Sequence, residues 1–296
     1  MHKSILLLLG ALLISVQAIA SQPVAGGNNA PKGSYDFTGW QGGKLSIYYS
    51  LPPAADKDAP ILIVIPGARR NADVYRDQWH SLAMKQGFIV LAIGCSLAVC
   101  PSEYDYNLGG LMTSSGKLQP APRQFFSAPE LVFNDFKRQF QSSQPTFALY
   151  GHSAGGGFVH LYMLARPDAP VSHAVSANAA FFTYPDPGHQ FPFGLQGSPF
   201  SSQDMQRWLA KPLTLMLGDQ DLGPRTKPVS NSDDANAQGR NVFARGLSFY
   251  AHAINTSVKQ NVHPNWQLEV VHGVGHNSGE LVPYALKYLF PQRLQE

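Results

Sequence analysis

Residues 149–161 have the sequence LYGHSAGGGFVHL, in which Ser153 stands between glycines directly after an apolar run. The segment before it, PTFALYGH (145–152), is typical of a buried strand, and the apolar spacing after Ser153 predicts a helix that ends before Pro167. A flexible glycine-rich turn is one interpretation of this junction. The alternative is a rigid, strained turn that presents a nucleophile, and the rest of the chain has to distinguish the two.

Short apolar runs alternate with helical patterns along the remaining chain. Continuous apolar strands separated by helices indicate a mostly parallel sheet covered on both faces. Residues 21–43 are rich in Gly, Asn, Pro and Ser, and we expect them to begin as a loose arm. With no internal repeat and no linker, residues 21–296 are predicted to form a single α/β domain. The predicted strands cover 44–52, 59–67, 87–94, 145–152, 171–179, 212–219 and 266–273, and the predicted helices 72–86, 128–140, 239–254 and 279–290.

The first twenty residues, MHKSILLLLGALLISVQAIA, have the features of a secretory signal peptide. Lys3 precedes an apolar run, and Ala18 and Ala20 form the small-residue pattern that signal peptidases cleave. The apolar run is too short to span a bilayer. We therefore expect cleavage after Ala20 and secretion into the periplasm or the medium. No membrane-length apolar segment follows, so the mature protein is expected to have no membrane span.

Composition and cysteine content narrow the possible partners. The formal charge of +3 includes Lys3, and no dense basic run interleaved with aromatic residues points to nucleic acid. In an oxidising compartment Cys95 and Cys100 are expected to form a local disulfide rather than remain free thiols. Two cysteines are too few for tetrahedral zinc, and the histidines show no metal spacing, so neither metal nor cofactor is expected. The sequence leaves the oligomeric state open.

The segment GHSAG (151–155) matches G-x-S-x-G between a predicted strand and a predicted helix, the context of a nucleophile elbow. Such a turn forces the serine into unfavourable backbone angles, and side chains at Gly151 and Gly155 would collide across it. Gly156 and Gly157 are expected to allow close packing of the helix at some cost in helix propensity. The context favours Ser153 as a nucleophile over a glycine-rich turn without chemistry.

A serine nucleophile needs a base and an acid that orients the base. In this arrangement the chain order is Ser, acid, His. The motif GDQD follows a predicted strand, and we expect Asp221 to be the acid, with Asp219 as the fallback. The last strand is followed by His276 in a loop between glycines, which we expect to be the base, whereas His272 is expected to pack or hydrogen-bond locally.

The anionic tetrahedral intermediate of acyl transfer needs preorganised donors. The N–H of Ala154, directly after the nucleophile, is the first expected donor. The second is expected in the loop after the strand at 59–67, where Gly67 lets the backbone approach and Ala68 offers its N–H, with Arg69 as the less favoured donor. A plain glycine turn before a helix is compatible with the same sequence.

These motifs resemble the α/β-hydrolase superfamily and, more narrowly, secreted bacterial esterases similar to poly(3-hydroxybutyrate) depolymerases. The resemblance implies an α/β-hydrolase fold with Ser153 as nucleophile, His276 as base, Asp221 as acid, and Ala68 and Ala154 at the oxyanion hole. It extends over nearly the whole mature chain through the segments IPGARRNADVYRDQW, YNLGG, GHSAGG, GDQD and GVGH.

One departure from the family pattern bears on the subfamily. Pro66-Gly67 stands where many relatives have His-Gly, which leaves the donor N–H in place but weakens assignment to a particular subfamily. No polymer-binding module or Ser/Thr-rich linker follows the catalytic region. We therefore expect a soluble ester to be a better substrate than a crystalline polyester.

A lid-like insertion is predicted at about 180–210, where AFFTYPDPGHQFPFGL follows a strand. Phe181, Phe182 and Tyr184 are candidates for an apolar substrate pocket, and Arg69 is a further pocket candidate. The alternative is a long loop that packs on the core.

The sequence thus favours a secreted serine hydrolase that cleaves small-molecule or polymeric carboxylic esters. A polyester depolymerase with the same machinery is the first alternative, and a serine peptidase the second. A non-catalytic binding protein on a hydrolase scaffold is the third, and the retention of all three triad residue types in order argues against it.

Overall fold

A mixed eight-stranded sheet forms the centre of residues 31–294, the part of the chain that the computed structural model describes. The strand order is β1-β2-β4-β3-β5-β6-β7-β8, with β1–β2 and β2–β4 antiparallel and the remaining pairs parallel. The predicted signal peptide lies outside the described residues. The strands are β1 (Lys32–Phe37), β2 (Leu45–Ser50), β3 (Ile61–Ile65), β4 (Ile89–Gly94), β5 (Phe147–His152), β6 (Val171–Ala177), β7 (Leu213–Gly218) and β8 (Trp266–Val271).

Helices cover both faces of this sheet, which confirms the predicted fold class. One face packs against α1 and α7, and the other against α2, α3, α4 and α6. The α-helices are α1 (Ala72–Gln86), α2 (Ala128–Phe140), α3 (Ala154–Ala165), α4 (Ser202–Leu209), α5 (Asp233–Gln238), α6 (Val242–Lys259) and α7 (Ser278–Leu289).

The central strands are apolar along their whole length because both of their faces are covered. All five residues of β3 are buried. Leu62 and Val64 belong to the core beneath α1 and α7, whereas Ile61, Ile63 and Ile65 belong to the opposite core. Successive side chains of a strand point to opposite faces, so a strand buried on both sides has no polar alternation.

Two parts of the predicted map are wrong in detail. Residues 32–37 are not a loose arm but form β1, which pairs with β2 along its whole length. As an edge strand, β1 buries only Phe37 fully, so its sequence KGSYDF lacks an apolar run. The polar segment after Pro228, for which no helix was predicted, contains α5, which begins at the Ser232 cap.

Helix boundaries follow local capping signals. Helix α1 spans the predicted 72–86 and ends at Gly87, which has the left-handed φ of 70° that favours glycine. Asn71 precedes it without a side-chain capping bond. Helix α6 begins later than predicted, because Asn241 caps the N–H of Ala244 and the chain before it turns at Gly239.

Strand topology determines where a site can form. From β3 the chain continues to β4 on one side, and β5 then lies on the other side of β3. Polar loops at the carboxyl ends of parallel strands meet at such a reversal. No helix among residues 31–294 has the length and apolarity needed to cross a membrane, and their acidic, His and Cys side chains form no group suited to a metal ion.

Candidate active site

Ser153 lies at the turn between β5 and α3, with φ 58° and ψ −118°. A positive φ is disfavoured for a side chain other than glycine, by about 1 kcal/mol or more. The Ser153 N–H donates to the Ala177 carbonyl at 2.9 Å, and its carbonyl accepts from the Gly157 N–H at 3.0 Å. These bonds hold the strained conformation, so LYGHSAGGGFVHL forms a fixed turn.

Close backbone approaches explain three of the four glycines around this turn. A Cβ on Gly151 would collide with the Gly155 carbonyl, and one on Gly155 would collide with the backbone of β3. A Cβ on Gly156 would lie 2.5 Å from a carbonyl oxygen of β6. At Gly157 the nearest atom would be 3.7 Å away, an ordinary contact, so close packing does not require glycine there.

Three predicted residues come together at this turn. His276 lies between β8 and α7, and its Nε2 is 2.9 Å from Oγ of Ser153. Its Nδ1 is 2.5 Å from Oδ2 of Asp221, which follows β7 and is 2 % exposed. Carboxylate, imidazole and hydroxyl thus form one continuous chain, an arrangement able to remove the serine proton.

The fallback residues form a separate pair. Oδ2 of Asp219 is 2.7 Å from Nδ1 of His272, and Oδ1 of Asp219 accepts from the Gly273 N–H at 2.8 Å. The hydrogen bond with His272 lowers the pKa of Asp219. The His272 side chain is 94 % exposed and lies at the surface. The geometry therefore pairs Asp221, not Asp219, with His276, the residue that contacts Ser153.

Asn178, a residue that the sequence analysis missed, connects the two loops that carry His276 and Asp221. Its Nδ2 donates to the Gly275 carbonyl at 3.0 Å, and its Oδ1 accepts from the Gly218 N–H at 2.9 Å. Asn178 is fully buried and has φ 43°, a left-handed value that Asn tolerates better than most residues. Because Asn178 lies within the predicted strand 171–179, no sequence signal distinguished it from the strand residues.

Arg225 is the second missed residue. Its Nη2 lies 3.2 Å from Oδ1 of Asp221, the carboxylate oxygen that does not face His276. Its positive charge therefore acts on the carboxylate that contacts His276. A cation four residues after an aspartate in a loop carries no distinctive sequence pattern, so spacing alone gave no reason to select it.

Ala68 and Ala154, the two expected oxyanion donors, lie in the cleft that contains Ser153. Both line the cleft beside Ser153, and a Cβ on Gly67 would be only 3.4 Å from the Cβ of Ser153, so the loop packs against Ser153. Within residues 31–294 the N–H groups of Ala68 and Ala154 donate to no other protein atom. Two free N–H groups near a nucleophile can stabilise a developing oxyanion.

A buried tyrosine–histidine pair lies next to His276. His152 is 3 % exposed, its ring lies 4.7 Å from that of His276, and its Nδ1 is 2.9 Å from the Tyr75 hydroxyl. Burial lowers the pKa of His152 well below its usual value and raises the pKa of Tyr75 to about 12. Both groups are therefore neutral near pH 7, and His152 packs beside His276 without adding charge.

The site opens into a cleft of about 1000 Å³. Its walls come from the loop after β3, the segment at 101–107 and the segment at 224–230. The pocket candidate Arg69 is exposed on the first wall. A cleft of this size, open to solvent, can admit part of a long substrate.

The aromatic residues of the predicted lid do not line this cleft, which corrects the prediction of a pocket wall. Phe181 and Phe182 are 1 % and 0 % exposed, and Phe182 stacks on Phe249 of α6 at 4.4 Å. Tyr184 is partly buried, with its ring 4.8 Å from that of His252. The segment packs on α6 because this helix offers an aromatic surface, so the alternative of a loop over the core describes it better.

Basic side chains dominate the charged lining of the cleft. Arg69, Arg70, Arg225 and Lys227 line it, whereas Glu103 is its acidic lining residue within the described part of the chain. Glu103 accepts a hydrogen bond from a backbone N–H of the opposite wall, and burial raises its pKa. The field in the cleft therefore favours an anionic group.

A disulfide joins Cys95 and Cys100 in the loop after β4. The Cys100 carbonyl accepts a hydrogen bond from Nη2 of Arg70 at 3.1 Å, and the Arg70 guanidinium lies 3.3 Å from the centre of the Tyr106 ring. Leu97 lies within the closed loop and lines the cleft while 62 % exposed. The disulfide loop thus supplies an apolar contact at the mouth of a basic cleft.

Comparison with known proteins places this geometry in a family. No family model and no curated protein matches the chain. Poly(aspartic acid) hydrolase-1 from Sphingomonas sp. KT-1 is 36 % identical, with a TM-score of 0.84 over 88 % of this chain and 98 % of its own. A poly(3-hydroxybutyrate) depolymerase from Bordetella parapertussis is 26 % identical, with a TM-score of 0.82 over 88 % of this chain and 89 % of its own.

More distant structures share the fold alone. An S-formylglutathione hydrolase from Agrobacterium tumefaciens is 14 % identical, with a TM-score of 0.56 over 87 % of this chain and 93 % of its own. The likeness to poly(aspartic acid) hydrolase-1 is much higher, and it extends over nearly the full length of both chains. The chain therefore belongs to the α/β-hydrolase superfamily, as a serine hydrolase of the group that includes poly(aspartic acid) hydrolase-1 and poly(3-hydroxybutyrate) depolymerase-like enzymes.

Proposed function

We propose that this serine hydrolase cleaves carboxylic esters through an acyl-enzyme formed on Ser153. His276 is the general base and Asp221 the acid that orients it. The observation that carries the proposal is the unbroken chain of contacts, 2.9 Å from the Ser153 hydroxyl to the imidazole and 2.5 Å from the imidazole to a buried carboxylate.

The proposed reaction has two halves. In the first, the Ser153 hydroxyl gives its proton to Nε2 of His276 while Oγ bonds to the ester carbonyl carbon, and the N–H groups of Ala68 and Ala154 stabilise the oxyanion. The tetrahedral intermediate then expels the alcohol, which receives the proton from His276. In the second half, water gives a proton to His276 and attacks the acyl carbon. The bond from this carbon to Oγ of Ser153 then breaks, Oγ takes the proton back from His276, and the acid is released.

Active-site labelling tests the nucleophile directly. The folded wild-type protein should react with a neutral fluorophosphonate probe, and mass spectrometry should place the adduct on Ser153. The Ser153→Ala variant should fold normally and remain unlabelled. A folded wild-type protein that neither takes up the probe nor turns over p-nitrophenyl acetate would instead support the non-catalytic binding protein.

A polymeric anion is the second candidate substrate, favoured by the basic lining of the cleft. The relative from Sphingomonas is named for its action on poly(aspartic acid), and the relative from Bordetella for its action on a polyester. Serine hydrolases cleave amides and esters with the same nucleophile, base and oxyanion donors. The hydrolysis of an acidic polyamide therefore requires no additional catalytic group.

Substrate comparison ranks these candidates. Neutral p-nitrophenyl esters, a polyester film and poly(aspartate) can be assayed with the purified protein at low and high salt. An anionic polymer held by the basic cleft should lose kcat/KM as salt rises, because screening weakens its attraction. Neutral esters should show little salt dependence. Release of fragments from poly(aspartate) that is insensitive to salt would contradict a role for the basic lining.

We also propose that the mature enzyme is a single domain, residues 21–296, secreted after removal of residues 1–20. The supporting feature is the signal-peptide pattern of the sequence. Mass spectrometry of the protein purified from the periplasm or medium should give an N-terminus at Ser21. A cell-retained protein that still begins at Met1 would contradict secretion.

A further inference from the structure

The carboxylate of Asp221 is held from both sides. Oδ2 faces His276, and Oδ1 receives Nη2 of Arg225 at 3.2 Å. The Asp221 side chain is 1 % exposed and that of Arg225 is 16 % exposed, so water screens this ion pair poorly. The same guanidinium donates to the Gly223 carbonyl at 3.3 Å, and its Nε is buried without a partner. The Arg225 guanidinium thus lies against the turn that carries Asp221.

Two consequences follow from this contact. Because each carboxylate oxygen has its own cationic or N–H partner, rotation of the Asp221 carboxylate would break at least one of them. The positive charge of Arg225 also lies against the carboxylate that contacts His276, so it changes the electrostatic environment of the imidazole. A pair that is poorly exposed to solvent transmits this effect more strongly than a surface pair does.

We propose that Arg225 is a positioning residue of the triad, which fixes the Asp221 carboxylate and extends the activity of the enzyme to lower pH. This inference rests on the proposed catalytic roles of Ser153, His276 and Asp221. It does not require Arg225 to touch the substrate, so neutral substrates should reveal it.

Other ionisable groups near the triad do not duplicate this role. His152 of β5 lies beside His276, but burial lowers its pKa well below the usual value. Tyr75 of α1 contacts His152, and burial raises its pKa to about 12. Both groups stay neutral near pH 7, so neither supplies the positive charge that Arg225 supplies.

The remaining charged neighbours are bound to other partners. Helix α6 packs against the acid loop and carries Arg245, whose guanidinium donates to the carbonyls of Ala180, Ser230 and Gly239 and to the side chain of Asn236. Asp219 and His272 pair with each other. Among the described residues, Arg225 is therefore the permanently charged cation in hydrogen-bond contact with Asp221.

The central experiment compares Arg225→Gln with Arg225→Lys. In the Gln variant the acid limb of kcat/KM for a short neutral p-nitrophenyl ester should move to higher pH by about one unit, the order expected from losing a nearby charge. At pH 6 this corresponds to a loss of up to about tenfold relative to wild type. The Lys variant keeps the positive charge, so the acid limb of its kcat/KM profile should lie close to that of the wild type. Circular dichroism checks that both variants fold.

Lys227→Gln is the matched control, since Lys227 lines the same cleft two residues later without a contact to Asp221. It removes the same charge from the cleft, and its acid limb should shift by less than about a third of the shift in Arg225→Gln, because distance and solvent weaken the interaction. An equal shift in both variants would overturn the proposal in favour of a general field of the cleft.

The pH dependence of fluorophosphonate labelling provides an independent readout that involves no substrate charge. Slower labelling of Arg225→Gln at low pH, with rescue by Arg225→Lys, would support the positioning role. If the wild type is labelled and Arg225→Gln shows the same pH profile of labelling, the role of Arg225 is overturned while the proposed catalytic function stands. A folded wild type that is never labelled would overturn the proposed catalytic function and this inference with it.

Discussion

At the scale of single residues, Asp219 and Asp221 have distinct partners although one residue separates them. Asp221→Asn should lower kcat by about 10⁴-fold, because the amide favours the wrong imidazole tautomer in His276. Asp219→Asn should stay within a few-fold of wild type, since Asp219 contacts His272 rather than His276. Steady-state kinetics with a p-nitrophenyl ester measures both. A larger loss in Asp219→Asn than in Asp221→Asn would contradict the assignment of the acid.

Asn178 offers a second test at this scale. Asn178→Ala removes both side-chain bonds between the loops that carry His276 and Asp221. A displacement of catalytic groups by about 1 Å can cost on the order of 100-fold in rate, so we expect kcat to fall by about ten- to a hundredfold with little change in KM. Michaelis–Menten analysis separates the two parameters.

Asn178→Gly is the control, because glycine accepts the φ of 43° without strain but also lacks the amide. It should melt at a higher temperature than Asn178→Ala and show the same loss in kcat. Wild-type kcat in the glycine variant would show that the backbone conformation, and not the amide, aligns the loops.

At the scale of elements, Gly155 and Gly157 at the start of α3 differ in how closely other backbone atoms approach them. Gly155→Ala should lower the free energy of unfolding severely, because the new Cβ meets the backbone of β3 and neither element can shift easily. Gly157→Ala should be tolerated and should raise it by up to about 1 kcal/mol through helix propensity. Urea denaturation measures both. Equal destabilisation by the two changes would contradict the different packing of the two positions.

Sequence patterns predicted elements well where local signals and burial agree. Helix α1 has its predicted bounds because Gly87 ends it locally, and β3 is unmistakable because both of its faces are covered. Strand β1 was missed because an edge strand needs only Phe37 in the core, and its partner β2 supplies the hydrogen bonds. Pairing with a distant strand is a tertiary property that a polar six-residue segment does not encode in its periodicity.

At the scale of the whole molecule, buried neutral histidines couple stability to pH. Burial lowers the pKa of His160 and His173 to about 4, from 6.5 in the unfolded chain. Between these values the unfolded state binds more protons, so the free energy of unfolding should fall as pH decreases from about 6.5 to about 4, by up to about 1.4 kcal/mol per pH unit for each histidine. His152 acts in the same direction.

Chemical denaturation at several pH values measures this dependence. His173→Gln provides the comparison, because His173 near the start of β6 contacts Thr214 near the start of β7, whereas Ser153 follows the end of β5, and glutamine can keep a hydrogen bond there. In this variant the free energy of unfolding should depend less steeply on pH below 6.5, by the contribution of about one proton. A free energy of unfolding that is constant from pH 6.5 to 4 in the wild type would contradict neutral burial of these histidines.

The sequence by itself determined the α/β class and the order in which Ser153, Asp221 and His276 occur, because apolar runs, glycines and strand ends are local features. Tertiary structure decided which partners these residues meet. It paired Asp219 with His272, placed Arg225 on Asp221, and packed Phe182 against Phe249 of α6 rather than in the cleft. These contacts join residues from different loops and helices, and their distances depend on how strands pair and helices pack, which no short stretch of sequence specifies.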